Sequence, residues 1–211
     1  MVFQDRADAG RQLAERLIEY RDRKDVLLFA LPRGGVVLGA EVAKATNLPL
    51  SVIVTRKIGA PNDEEFAIGA LAETGEVIWN EGERFAHDQK ALNKIVDKEK
   101  KEAERRIQKF RSGQALPDMR GKTALIVDDG VATGLTIRAA IAAARHMHAE
   151  KVVLAVPHGA ADSIEALKRE ADEVICLQTP EVYGAVGQFY ATFDQTSDEV
   201  VIELLDNQVA K

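Results

Sequence analysis

The 211-residue chain has a single cysteine, which excludes an intramolecular disulfide and any zinc site built on cysteine ligands. Cys176 sits inside the apolar run "EVICLQ", with neither a base nor a second thiol beside it, and reads as a small buried hydrophobe rather than a reactive thiol. No stretch approaches the ~18 consecutive apolar residues of a membrane span, and the opening "MVFQDRADAGRQLAERL" lacks the charged-then-apolar order of a signal peptide. The expectation is a cytoplasmic protein without a membrane partner. Repeats and low-complexity tracts are missing too. The formal net charge is −6, so a uniformly basic nucleic-acid binder is not expected. The Gly-x-Gly-x-x-Gly of dinucleotide-binding folds is also missing, since "GGVVLG" does not fit it.

What the chain does have is 46% hydrophobic residues, enough for one sizeable core and too little for two comfortable α/β domains. Ala9, Leu13, Leu17 and Tyr20 fall three or four apart, which predicts a helix over residues 5–20. "DVLLFALPRGG" is then a short apolar run closed by Pro32 and two glycines, followed by the helical pattern "VVLGAEVAKAT". The same strand, loop and helix order recurs at "LSVIVTRK", at "KTALIVDDGVATG" with "LTIRAAIAAARHM", at "KVVLAVPHG" with "ADSIEALKREA", and at "EVICLQTP". Continuous apolar strands alternating with amphipathic helices predict an α/β fold, a mostly parallel central sheet covered by helices on both faces.

Two segments break this rhythm. Residues 56–83 are polar and glycine-punctuated before the strand-like "AIGALA" and "EVIW", and predict a flexible loop followed by a hairpin. Residues 84–112 hold ten Lys/Arg against five Asp/Glu, leaving −11 on the rest of the chain. Their apolar residues have helical spacing, with opposite charges four apart at Asp97 and Lys101 and at Glu102 and Arg106. A long solvated helix is the plainest reading; an RNA-touching surface and a dimer contact are the alternatives. Near the C-terminus, Tyr183, Phe189 and Tyr190 precede a last helix, for which Thr196 and Glu199 have capping-box spacing.

The chemistry concentrates in "ALIVDDGVATGLT", residues 124–136. Ligands of open parallel sheets bind beyond the carboxyl ends of the strands. Here a strand ends at Val127, Asp128 and Asp129 follow, and a glycine- and threonine-rich turn leads into a helix beginning near Leu135 or Thr136. Unpaired N–H groups at a helix N-terminus suit a phosphate, and Thr133 and Thr136 add hydroxyl donors. Two carboxylates would repel that phosphate, so they belong with another part of the same ligand. Ribose hydroxyls are donors that ionised carboxylates accept; the same acids could face positive charge developing on the sugar or stand behind a magnesium shell.

Four hydrophobic residues, two acids, three further residues and Thr-Gly-x-Thr resemble the phosphoribosyl pyrophosphate signature of type I phosphoribosyltransferases, in order, spacing and context. The whole chain resembles a bacterial branch described as predicted phosphoribosyltransferases, with the sheet region 26–178 covered best. The resemblance implies a single domain over 1–211, with a C-terminal hood or tail over 179–211. Asp128 and Asp129 would bind the ribose hydroxyls. Gly130, Val131, Ala132, Thr133, Gly134, Leu135 and Thr136 would hold the 5-phosphate, Thr133 and Thr136 by side chain. Arg33, Gly34 and Gly35 in "LPRGG" are similar to the loop that grips pyrophosphate. Arg56 and Lys57 in "TRKIGAPNDEEF" resemble the start of a flexible catalytic loop, in which Asp63, Glu64 and Glu65 are read as solvation rather than metal ligands. Ala132 departs from enzymes that place an acid there near N7 of a purine, which puts hypoxanthine or guanine specificity in doubt.

The activity implied is transfer of the phosphoribosyl group from magnesium-bound phosphoribosyl pyrophosphate to a nucleobase or amine, with release of pyrophosphate. Mg2+ would be held mainly by the substrate, with Asp128 and Asp129 as its candidate protein contacts. A homodimer is an open alternative for the long helix. A non-catalytic sensor of phosphoribosyl pyrophosphate or a nucleotide is the rival function, and a scaffold with a vestigial site the third. His146 and His148 lie two apart on a helix and cannot share a face, so they make no metal pair. His158 follows a strand end, where it either reaches the base or has no role.

Overall fold

The computed structural model describes residues 2–209. In chain order the elements are α1 (Arg6–Glu15), β1 (Val26–Ala30), α2 (Gly34–Thr46), β2 (Leu50–Val52), β3 (Thr55–Ala60), β4 (Asp63–Ala72), β5 (Val77–Trp79), α3 (Glu81–Arg84), α4 (Gln89–Arg111), β6 (Thr123–Val127), α5 (Leu135–His146), β7 (Lys151–His158), α6 (Ala161–Leu167), β8 (Glu173–Gln178) and α7 (Asp198–Val209). Strands β2-β1-β6-β7-β8, in that order, form a parallel sheet. Successive strand residues point to opposite faces. Leu28, Leu125 and Val153 therefore enter one core with α1, α2 and α7, while Phe29, Ile126 and Leu154 enter a second with α5 and α6. Both faces are dry, which explains the continuous apolar runs. Each such side chain, when fully buried, contributes about 1.5–3 kcal/mol.

From β1 the chain passes outward to β2, and from β6 it passes the other way through β7 to β8. The order therefore reverses between β1 and β6, and the loops after these two strands diverge to leave a crevice. Phe29 pairs with Ile126 and Ala30 with Val127, so residues 31–35 and 128–134 leave the sheet at the same level.

Four local expectations are corrected. The first helix stops at Glu15, and residues 18–20 form a separate 3-10 turn that still buries Tyr20. "LSVIVTRK" is not one strand: β2 ends at Val52, and after the buried Ile53 and Val54 the chain enters β3 of a separate antiparallel sheet, β3-β4-β5. Residues 56–60 and 63–72 are consequently strands rather than a loop, with Arg56 opposite Leu71 and Lys57 opposite Ala70. Finally, Ser197 rather than Thr196 caps α7, its Oγ accepting from the Val200 amide at 3.3 Å.

Candidate functional site

The two acids follow the last residue of β6, and the core beneath them fixes where they stand. Asp128 accepts the Asp129 amide at 2.9 Å. Asp129 accepts Arg6 Nε at 2.7 Å through Oδ2, and its carbonyl accepts the Tyr190 hydroxyl at 2.6 Å. Burial pushes the Asp128 carboxyl well above the ordinary carboxylate range, and the neighbouring Asp129 pushes it further. Burial also raises Asp129, with Arg6 opposing it. The pair is costly to keep charged in a protein interior without cations or hydrogen-bond donors close by.

The β1–α2 loop packs directly against these acids. A Cβ at position 34 would lie 2.0 Å from Asp129 Oδ2 and 2.7 Å from Arg6 Nε, and one at position 35 would lie 2.8 Å from Asp128 Oδ1. Glycine is required there by close approach. The Pro32–Arg33 peptide is cis. Arg33 turns elsewhere, its Nη1 lying 3.6 Å from Asp198 Oδ1 in α7.

Beyond the acids the turn is tied to the β7–α6 connection. The Val131 amide donates to the His158 carbonyl at 3.0 Å, the Ala160 amide to the Val131 carbonyl at 2.9 Å, and Ser163 Oγ to the Ala132 carbonyl at 2.6 Å. Gly134 starts α5 with a φ of 74°, and no side chain caps that helix. Its first N–H groups are therefore available to an anion. Ala132 and Thr133 are exposed.

Residues 128–137 form one wall of a cavity of about 410 Å3, closed on other sides by Val186 and by Lys57, Glu65, Phe66, Ala67 and Gly69 of the hairpin. Asp128, Asp129, Gly130, Val131, Ala132, Thr133, Gly134, Leu135, Thr136 and Lys57 thus share one space. Gly34 and Gly35 back the acids without lining that cavity, and Arg33 and Arg56 do not line it either. Strand geometry separates Arg56 from Lys57, because neighbours on a strand point to opposite faces. Arg56 Nε meets Glu99 Oε2 of α4 at 2.7 Å, whereas Lys57 Nζ meets the exposed Glu65 carboxylate at 2.9 Å.

Arg6, Tyr190 and His158 carry more of this site than the sequence indicates. Arg6 stands in an amphipathic helix, where an arginine is ordinarily solvated, and is 123 residues from its partner; no local signal marks it. His158 ends the apolar run "KVVLAVPH" and is fully buried beneath Gly130, where a Cβ would lie 2.5 Å from its Cε1. Its Nδ1 is 2.9 Å from the Tyr183 hydroxyl, Nε2 has no partner, and the rings of Phe3, Tyr183, Phe189 and Tyr190 surround it. Burial lowers its pKa to about 4, so the ring is neutral at physiological pH. Cys176, half-buried and donating to the Gln178 carbonyl at 3.2 Å, is pushed up to about 11 by burial. Among the described residues no helix is long and apolar enough to cross a membrane.

Among solved structures, the crystal structure of TT1426 from Thermus thermophilus is 35% identical and covers 99% of both chains, with a TM-score of 0.79. The Aquifex aeolicus protein AQ2163, 12% identical over 82% of this chain and 73% of its own, shares the fold at a TM-score of 0.50. Two Mycobacterium tuberculosis sequences, from strains CDC 1551 and H37Rv, each named "Putative phosphoribosyl transferase", are 46% identical over 207 residues. That alignment takes in 97% of this chain and 46% of theirs, so the chain spans about half the length of these curated relatives. Residues 3–194, from the Phe3 pairing through both strand-end loops to the carbonyl that holds Arg6, match the phosphoribosyl transferase domain, and the chain belongs to that family.

Proposed function

We propose that this chain transfers the 5-phosphoribosyl group of phosphoribosyl pyrophosphate to a nitrogenous base or amine. The observation that carries the reading is the convergence, in one cavity at the β1/β6 reversal, of two half-buried carboxylates, an uncapped helix N-terminus and the side chains of Thr133 and Thr136. The helix end and threonines receive the 5-phosphate. Asp128 and Asp129 accept the ribose hydroxyls and face the positive charge that develops at the anomeric carbon. The acceptor nitrogen forms its bond to that carbon as the bond to pyrophosphate oxygen breaks; the acceptor then loses a proton. Gly34 and Gly35 bring backbone amides beside the leaving group, and Lys57 adds a cation at the cavity's edge.

Among the described residues no cluster of three or more metal-ligating side chains exists. Two adjacent carboxylates fit an Mg2+ ion that takes its remaining ligands from substrate oxygens, and do not fit a resident metal. Such an ion would neutralise the diphosphate charge. Residues 56–83, 84–112 and 179–209 are then appendages of a single domain, and any dimer contact is left to α4.

A second reading, a sensor of phosphoribosyl pyrophosphate or a nucleotide, is favoured by one observation: Arg56 is engaged by Glu99 rather than by the cavity. Pyrophosphate release from phosphoribosyl pyrophosphate and magnesium, assayed against a panel of nucleobases and other amines, separates the two. Release dependent on one acceptor supports the transferase; saturable binding without release with any acceptor supports the sensor.

A further inference from the structure

Asp129 is held at both ends by residues distant in sequence. Arg6 Nε grips Oδ2 at 2.7 Å, and Arg6 Nη1 donates to the Asp194 carbonyl at 2.6 Å. The guanidinium also lies over the Phe193 ring, 3.7 Å from its centroid. The Tyr190 hydroxyl holds the Asp129 carbonyl at 2.6 Å. Behind them the chain's two outer segments are zipped together: the Phe3 amide donates to the Phe189 carbonyl at 2.8 Å, the Ala191 amide to the Phe3 carbonyl at 2.8 Å, and the Thr192 amide to the Gln4 carbonyl at 3.0 Å.

This arrangement is more than charge compensation. An Arg that only neutralised Asp129 could remain mobile, whereas here two of its three guanidinium nitrogens are fixed and its plane rests on an aromatic ring. Gly34 closes the remaining side, since a Cβ there would sit 2.7 Å from Arg6 Nε. Oδ2 is committed to Arg6, which leaves the other oxygen for a ligand in the cavity that Asp129 lines. Without Arg6, repulsion from Asp128 would favour turning the carboxylate away.

We infer that Arg6 and Tyr190 are positioning residues, a clamp that sets the Asp129 carboxylate to receive the 2-hydroxyl of the bound sugar. This rests on the ribose reading of the cavity given above, and a difference between two ligands tests it. Ribose 5-phosphate and 2-deoxyribose 5-phosphate share the phosphate and differ by one hydroxyl. In calorimetric titrations the wild-type chain is expected to bind the ribose compound at least tenfold more tightly. Arg6→Gln should reduce that preference below twofold while leaving affinity for the deoxy compound within threefold, and Arg6→Lys should recover at least fivefold. Tyr190→Phe, which keeps the ring and removes only the carbonyl bond, should reduce the preference about threefold with little change in melting.

A tenfold preference retained in Arg6→Gln overturns the clamp and leaves the ribose reading intact. Equal loss of both ligands in Arg6→Gln and Arg6→Lys, with Tyr190→Phe unchanged, also overturns it, because a purely structural role would weaken both sugars alike. A wild type that binds both compounds without preference removes the hydroxyl role of Asp129, and the clamp with it. If Arg6→Gln does not fold, Arg6→Lys and Tyr190→Phe decide the matter by the same ratio.

Discussion

The cavity wall formed by residues 128–137 is anchored by backbone bonds to β7, by the two cores beneath β6 and by a partly buried ion pair. The opposite wall, the β3–β4 hairpin, is tied down at its tip by Lys98–Glu64 and Lys57–Glu65, whose carboxylates are 81% and 93% exposed. Exposed pairs are screened by salt and contribute little, while a buried network is costly to disturb. The base of the hairpin is packed through Ile58, Ile68, Ala70 and Leu71, so one wall is preorganised and the tip of the other adjustable. That division suits a site that must fix a sugar phosphate and still admit and release a second reactant.

The largest effect should come from the rigid wall. Asp129→Asn keeps the shape and one acceptor oxygen but removes the charge facing the sugar. Turnover in the pyrophosphate-release assay should fall roughly 100- to 1,000-fold, with affinity for phosphoribosyl pyrophosphate changing by less than about tenfold. A matching loss of affinity with turnover at saturation preserved would make the carboxylate a binding group only.

Next comes His158, which supports that wall from below. Its folded pKa is about 4 against an ordinary 6.5, so the unfolded chain takes up a proton first as pH falls. Stability is unaffected by this group above pH 6.5 and is lost between 6.5 and 4, by about 3 kcal/mol in all. Urea unfolding at about pH 7.5 and about pH 4.5 should show most of this loss in the wild type, and His158→Gln should lack that share. An identical pH dependence in the two proteins would mean that the ring can be protonated in the fold without penalty.

Thr133→Val tests the phosphate end of the same wall. The side chain is exposed in the free protein, so melting should be unchanged, while ribose 5-phosphate binding weakens by about 1.5–3 kcal/mol, the range for a hydrogen bond to a charged group. Unaltered affinity in calorimetry would move the phosphate away from this turn.

The smallest effect is expected at the adjustable wall. Lys98→Ala removes the exposed pair with Glu64, and the melting temperature should not move measurably in about 0.15 M salt. A drop of several degrees would show the hairpin to be as firmly built as the signature turn, and the contrast between the walls would go.

The contrast also explains what was legible in the sequence. The parallel sheet announced itself because both of its faces are buried, making every strand a continuous apolar run. The acid pair and the turn after it were legible because strand, acids, turn and helix lie within 13 consecutive residues, 124–136. The β2–β3 break was not, since "LSVIVT" contains neither glycine nor proline and Ile53 and Val54 are as buried as strand residues. The hairpin resembled a loop because Asp63–Phe66 are exposed although they belong to β4. Arg6 was invisible, and Tyr190 stood out only as one of three neighbouring aromatics, for a different reason: their partner lies far along the chain.

The Arg6 contact also fixes an order of assembly. During synthesis the guanidinium emerges 123 residues ahead of its carboxylate and 188 ahead of the carbonyl that holds its other end. A nascent chain that has just completed β6 and α5 already contains both acids and the glycine turn, yet still lacks the Tyr190 hydroxyl and the Asp194 carbonyl. The complete cluster around Asp129 therefore cannot form until translation has passed residue 194, making it a marker of a finished fold rather than a seed for one.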